Sequence, residues 1–407
     1  MLHLQVNAVI FGAGAAGLWT LDELRRQGRS AVLLETSALG DGQTIASQGI
    51  VHGGLKYSLK GLLTASAREA REMPKLWRRC LSGADAPDLS RTEVRSESFY
   101  LWGTDSAASR VGMFGAKLGL QAAPRTIEHD QRPPLLRDCQ GAVLRVDEQV
   151  LSPSSLLAAL AAPHQNAILK IDRTKPPSLV TSRPGHAQSI VVCSPEASSE
   201  LTLLPDWVVL AAGQGNAALR EQLGLDASRM QRRPLHMVLV RGPLPEFFGH
   251  CVDGGRTRVS ITSARDNSGR TVWQVGGQIA EDGVTLDAEA LIHRAQAEIS
   301  STLPELNLAH TEWSTYRVDR AEGAVAGGGR PDSFHLLKDG NVLTAWPTKL
   351  VLVPQLAAAA AKTIVASTTL RAANYSLLTS WPRPAKAAPP WDRAGTWTSY
   401  DPLRRAA

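Results

Sequence analysis

Over its first 35 residues the chain carries its apolar positions as two short unbroken runs, AVIF at 8–11 and AVLL at 31–34. Runs of this length without polar alternation predict parallel strands covered on both faces. Between them Leu18, Leu21 and Leu24 recur at helical spacing within 18–27, and Gly28 stands where that helix would end. The predicted order is strand, turn, helix, strand.

Further along, the pattern changes period several times. Residues 58–77 read as helical, with Pro74 interrupting the helix or opening another. Alternating Val94, Phe99 and Leu101 suggest strands within 86–104, followed by a short helix over 106–123 and a proline-rich loop over 124–136. A strand ending at Val150 or Leu151 leads to Ser152 and Pro153, a cap and first-turn pair, with Leu156, Leu157 and Leu160 on one helical face. Residues 167–171 form another strand, and 173–200 read as loop plus one strand at 189–193. DWVVLAAGQG at 206–215 is a buried strand that runs into glycines before a helix at 216–223. Residues 231–320 are strand-rich, apart from a helix at 286–301. Residues 342–345 form a last strand, WPTK at 346–349 a turn, and an alanine-rich helix continues to about 366.

Composition narrows the class. The chain has 407 residues, 43 % hydrophobic and 20 % charged, which suits globular structure and exceeds one ordinary core. The net charge of +6 is spread along the chain, so it reads as a solvated surface and no nucleic-acid partner is expected. Cys80, Cys139, Cys193 and Cys251 are dispersed, with no metal-binding spacing, and read as reduced thiols. No cationic leader and no run of 18 apolar residues is found, so the expected location is cytoplasmic, with peripheral membrane contact left open.

The chemistry begins with Gly12, Gly14 and Gly17 in GxGxxG spacing at the first strand–helix turn. Gly12 permits the tight turn, Gly14 lets backbone approach a diphosphate, and Gly17 lets the helix pack on the strand. The helix N-terminus, from Ala15 and Ala16, offers N–H groups and a positive dipole end to an anion. Glu35 stands 18 residues after Gly17, where an acid accepts hydrogen bonds from a ribose diol.

Beyond Glu35 the chain enters a polar, glycine-rich loop, GDGQTIASQGIVHGGLKY, instead of a plain strand–helix unit. This loop resembles that of the D-amino-acid oxidase-like FAD-dependent oxidoreductases, and HGGLKY most resembles the glycerol-3-phosphate dehydrogenase version. The resemblance implies FAD, held non-covalently in preference to a covalent link through a loop histidine. It implies contacts from Thr36, Gln43, Thr44, Ser47, Gln48, Gly53 and Gly54, from Val150, from Ala212 and Gly213, and from Pro347, Thr348, Lys349 and Leu350. The fold implied is α/β, α+β overall: a Rossmann-like FAD/NAD(P)-binding domain with a parallel sheet plus a discontinuous antiparallel-sheet substrate domain. The nucleotide domain would comprise 1–77, 141–225 and 335–375, and the roof 78–140 and 226–334, with 376–407 a tail on the surface or partly disordered.

Expected chemistry is hydride removal from a CH–OH or CH–NH carbon of a small anionic substrate. Glycerol-3-phosphate or a 2-hydroxy acid stands ahead of amino acids because of the HGGLKY turn. Oxygen, a quinone or a carrier remain open as electron acceptor. His52 is the candidate base, ahead of His236 and Tyr316. Arg317 and Arg320 are candidates for the substrate anion, Arg317 first; in a strand they fall on opposite faces unless the strand ends between them. Lys349 could add positive charge near the reduced ring. The alternative is a flavoprotein that modifies RNA or binds a partner; a purely structural Rossmann protein stands third.

Overall fold

The computed structural model describes residues 2–52, 65–106, 124–196, 199–254 and 256–400. In chain order come β1 (Leu2–Phe11), α1 (Ala15–Arg26), β2 (Ala31–Glu35), α2 (Ala65–Leu81), β3 (Val94–Ser96), β4 (Phe99–Gly103), β5 (Arg125–Thr126), β6 (Val143–Val146), β7 (Val150–Leu151), α3 (Pro153–Ala161), β8 (Ile168–Lys170), β9 (Ser178–Arg183), β10 (His186–Cys193) and β11 (Glu200–Leu210). Then come α4 (Asn216–Gln222), β12 (Met230–Gly242), β13 (Gly249–Asp253), β14 (Arg256–Arg265), β15 (Thr271–Gly276), α5 (Gln278–Asp282), α6 (Ala288–Thr302), β16 (Glu312–Gly323), β17 (His335–Asp339), β18 (Val342–Trp346), α7 (Val353–Val365), α8 (Pro390–Arg393) and β19 (Thr398–Ser399).

The first sheet has the order β17-β18-β11-β1-β2-β8, with the β9–β10 hairpin paired to β11. Its centre is parallel: β1 pairs with β11 and β2, β2 with β8, and β11 with β18. This explains the unbroken apolar runs, because α1, α3 and α7 cover one face around Leu18, Leu21 and Leu356. The other face is covered by a second cluster that includes Val9, Val208 and Trp381. The second sheet has the order β19-β16-β12-β15-β14-β13-β4-β6-β5 and is antiparallel except for β13 against β4. Helix α6 packs its Leu291, Ala295 and Ile299 face onto this sheet, with Trp102, Trp273 and Trp313. The result is the expected mixed α/β fold, with one sheet parallel at its centre, one largely antiparallel, and a small β3–β7 pair.

Several elements differ from the pattern reading. β6 belongs to the second sheet, paired with β4, so the chain returns to the first sheet after Val146 and not at 141. Residues 173–200 hold the whole β9–β10 hairpin. Helix α2 runs on through Pro74. Its C-terminal half is anchored by buried Trp77, whose ring meets Trp19 edge-on at 4.9 Å and whose Nε1 donates to the Val351 carbonyl at 3.1 Å. The loss of one N–H at the proline is outweighed by that packing. The segment after 376 is integral up to residue 400: Trp381 and Trp391 are buried, and β19 pairs with β16. The residues of the predicted helix from 107 to 123 lie outside the described residues.

Candidate active site

At the carboxyl edge of the first sheet, β1 ends in a turn where Gly12 has φ +99°. A Cβ there would sit 2.6 Å from the Ala211 carbonyl oxygen and the Ala212 Cα at the end of β11. A Cβ on Gly17 would sit 1.9 Å from the Gly12 carbonyl oxygen. Both glycines therefore hold backbone against backbone, which brings two strand ends and one helix N-terminus together. Ala15 and Ala16 open α1 buried, with no acidic residue in its first turn. Gly213, at φ +57°, continues the β11 turn, and Asn216 fixes it by accepting from the Ala212 N–H at 2.8 Å.

Glu35 ends β2 beside this turn. Its carboxylate accepts from the Ala13 N–H at 2.8 Å and the Ser37 N–H at 2.9 Å. Burial pushes its pKa up, and the N–H groups of Ala13, Ser37 and Thr36 oppose that only in part. β8, parallel to β2, adds the Ile171 N–H, which donates to the Glu35 carbonyl at 2.8 Å. Val150, a cofactor contact implied by the resemblance, is fully buried and bridges to Ile50 of the loop.

The loop after Glu35 lies between the sheets. The Thr44 hydroxyl faces the Gly14 turn and accepts from the Ala15 N–H at 3.3 Å. Gln43 and Gln48, expected along the diphosphate, turn their amides to the second sheet. Gln43 accepts from the Ala321 N–H at 3.0 Å, and Gln48 donates to the Gln274 carbonyl at 2.9 Å while accepting from the Ser260 hydroxyl at 2.9 Å. The Tyr316 hydroxyl donates to the Ala46 carbonyl at 2.9 Å. It is partly buried, desolvation drives its pKa up, and its hydroxyl clamps the loop. Gly53 and Gly54 lie outside the described residues.

A cavity of about 200 Å³ opens where this loop meets the second sheet and the turn after β18. Ser47, Gln48, His52, Met237, His250, Arg320, Arg330, Lys349 and Glu281 are among its walls. His52 holds its Nδ1 3.1 Å from the carboxylate of buried Glu148, and its ring stacks on His250 with centroids 5.4 Å apart. Neither Glu148 nor His250 was found from sequence, because β6–β7 and β13 bring them in from 96 and 198 residues away.

Of the two roof arginines only one reaches this space. β16 does not end between them, so alternation puts Val318 and Arg320 on the cavity face and Arg317 on the other. Arg317 is exposed and donates to the carbonyls of Val284 and Leu286. Arg320 is mostly buried and donates to Glu281 at 3.1 Å. Burial and nearby Arg233 press its pKa down, and Glu281 counters them. His236 is engaged structurally, with Nδ1 at 3.1 Å from the Gly283 carbonyl and Nε2 at 3.0 Å from the Thr315 hydroxyl.

The turn after β18 runs through Pro347 and Thr348 to Lys349, with Leu350 opening a 3₁₀ turn ahead of α7. Thr348 has φ +60°, a left-handed conformation that favours glycine, and its hydroxyl donates to the Ser333 carbonyl at 2.9 Å. The turn thus keeps a glycine-like backbone without a glycine, and Lys349 lines the cavity.

These features fit a bound dinucleotide. The backbone at Gly14 is open except for the Thr44 hydroxyl, which a Cβ there would approach to 3.1 Å, Glu35 ends β2 beside this turn, and Lys349 lines the cavity. Ser47 Oγ and Trp346 Nε1 are buried with no partner among the described residues, as expected where a bound group completes the bonding. Among the described residues no cluster could hold a metal ion, and no helix is long and apolar enough to cross a membrane.

Comparison with known proteins agrees with this geometry. Residues 7–346 match the model of the family described as FAD dependent oxidoreductase. The chain is 37 % identical over 397 residues to the probable FAD-dependent oxidoreductase PA4991 of Pseudomonas aeruginosa, covering 96 % of this chain and 98 % of that one. The crystal structure of that protein superposes with a TM-score of 0.80 at 33 % identity, over 97 % and 99 % of the two chains. Glycine oxidase from Geobacillus kaustophilus shares the fold at 16 % identity and a TM-score of 0.62, over 95 % of this chain and 100 % of that one. L-proline dehydrogenase from P. horikoshii does so at 11 % and 0.63, over 90 % and 95 %. The chain therefore belongs to the FAD-dependent oxidoreductase family, and FAD is its cofactor.

Proposed function

We propose that the protein oxidises a small anionic substrate at a carbon bearing an amine or hydroxyl group, in the cavity between the two sheets. The first sheet and the loop after Glu35 serve the cofactor; the second sheet supplies the substrate wall. When bound, FAD supplies the hydride acceptor. The observation that carries the reading is the placement of Arg320, Arg330 and Lys349 around the same cavity as His52. A guanidinium offers paired donors to a carboxylate or phosphate, so Arg320 fixes the anionic end. His52 takes the proton from the reacting amine or hydroxyl, leaving the C=N or C=O product. Lys349 adds positive charge to the opposite wall.

Amino acids move ahead of glycerol phosphate within this class. Glu281 puts a carboxylate 3.1 Å from the Arg320 guanidinium on the cavity wall. That pair of opposite charges complements the carboxylate and ammonium of a zwitterion, whereas a phosphate would meet Glu281 with like charge. Two enzymes that share the fold act, by name, on glycine and on L-proline. The test is the absorption spectrum of the flavin-loaded enzyme under anaerobic conditions with amino acids, 2-hydroxy acids and glycerol phosphate in turn. Amino acids should bleach the flavin band. If the whole panel leaves it unchanged while dithionite bleaches it, the reading fails.

A further inference from the structure

We infer that Glu148 is the positioning residue that makes His52 a proton acceptor, an inference that rests on the oxidation proposed above. The two residues come from different parts of the chain. His52 closes the described part of the cofactor loop, and Glu148 lies in the three-residue connection between β6 and β7. That connection is fixed on every side. The Gln149 carbonyl accepts from the Val51 N–H at 2.9 Å, the Gln149 amide donates to Glu97 at 2.8 Å, and Arg78 donates to the Asp147 carbonyl.

Glu148 is 3 % exposed and His52 lines the cavity. A carboxylate can only accept, so a 3.1 Å approach to Nδ1 selects the tautomer with the proton on Nδ1. Nε2 is then the basic atom left for the cavity. His250 stacks on the imidazole at 5.4 Å and is itself tilted against Phe99 at 4.4 Å, which limits rotation of the His52 ring. Among the described residues, the remaining charges on the cavity wall are Arg320, Arg330, Lys349 and Glu281. In the reaction the substrate carbon gives up a hydride, and its nitrogen or oxygen gives its proton to His52 Nε2. The imidazolium that forms keeps its Nδ1–H on Glu148, so its new charge is compensated at once. Buried carboxylates elsewhere in the chain serve other ends: Glu322 accepts from Nε and Nη2 of Arg233, and Asp22 is held by Arg26 and His164.

The experiment uses flavin-loaded enzyme with ¹⁵N-labelled histidine, the His52 signals being assigned with H52Q. Wild-type His52 should carry its neutral proton on Nδ1. In Glu148→Met that preference should disappear and kcat should fall about 10²-fold, the usual share of a positioned base, while KM stays within about threefold. Glu148→Asp, which keeps an acceptor, should recover part of kcat with the flavin spectrum unchanged. A wild-type proton on Nε2, or a Glu148→Met enzyme with unchanged tautomer and kcat, overturns the inference. Should Glu148→Met fail to retain flavin, the wild-type tautomer and Glu148→Asp kcat decide. The tautomer signal is independent of turnover, so it separates failure of this inference from failure of the proposed oxidation.

Discussion

The two ends of the cofactor-binding region are made in different ways. At the nucleotide end, backbone touches backbone: Gly17 and Gly12 lie so close that a single methyl group would stand 1.9 Å from a carbonyl oxygen. At the cavity end, recognition is built from long side chains, with Arg320 on Glu281 and His52 on Glu148. The first arrangement is steric and does not tolerate volume. The second is electrostatic and tolerates volume better than a change of charge. Cofactor retention and substrate choice should therefore respond to different substitutions.

The largest effect should come from Gly17→Ala. The added Cβ must push α1 off β1, and overpacking of this kind costs about 1–3 kcal/mol or more. The variant should leave the column without its flavin absorbance and melt below wild type. If it keeps a full complement of flavin, the steric account of this end is wrong. Next, Arg320→Met removes the guanidinium proposed to hold the substrate anion. Loss of a charge pair of this kind costs about 2–5 kcal/mol, so KM should rise by about 30-fold or more with flavin content intact. Arg317→Met is the control. Its guanidinium bonds two loop carbonyls outside the cavity, so KM should not move.

The same division governs how much could be read from the chain. Gly12 and Gly17 were legible because backbone geometry demands glycine at that spacing. Arg317 was preferred to Arg320 because residue type alone does not say where a strand ends, and β16 continues to Gly323. Gln43 and Gln48 stand in a polar loop, and nothing local in the sequence shows that their amides also bond the second sheet. Glu148 and His250 had no signal, since only sheet pairing brings them to His52. The WPTK turn holds no glycine, yet Thr348 takes φ +60° there, with its hydroxyl bonded to the Ser333 carbonyl. The tail, read as lying on the surface or partly disordered, instead packs Trp381 and Trp391 into two separate clusters.

A smaller effect sharpens the comparison at the seam between the two regions. Tyr316→Phe strips one donor from the Ala46 carbonyl and one acceptor from the Gln274 amide, which keep only their 3.4 Å bond to each other, at a cost of about 1 kcal/mol. Chemical denaturation should show that loss of stability, with KM for substrate unchanged. The smallest effect is confined to acid. Burial raises the Asp22 pKa, but hydrogen bonds from His164 and Arg26 more than reverse this, so the net shift is below the ordinary 3.8. A depressed folded-state pKa gives stability that is full above 3.8 and is lost as pH falls through the lower folded value. The gap in melting temperature between wild type and Asp22→Asn should therefore be constant near neutrality and close below that pH. A gap that widens in acid contradicts the assignment.

Residues 43–48 are sewn to both halves of the molecule, through Thr44 to the first helix and through Gln43, Ala46 and Gln48 to the far sheet. The two cores are therefore not independent modules. A recombinant fragment carrying only the first sheet would keep its glycine turn but lose the stitches that shape this stretch, so grafting the roof of a relative onto this chain requires carrying over the matching residues of 43–48 as well.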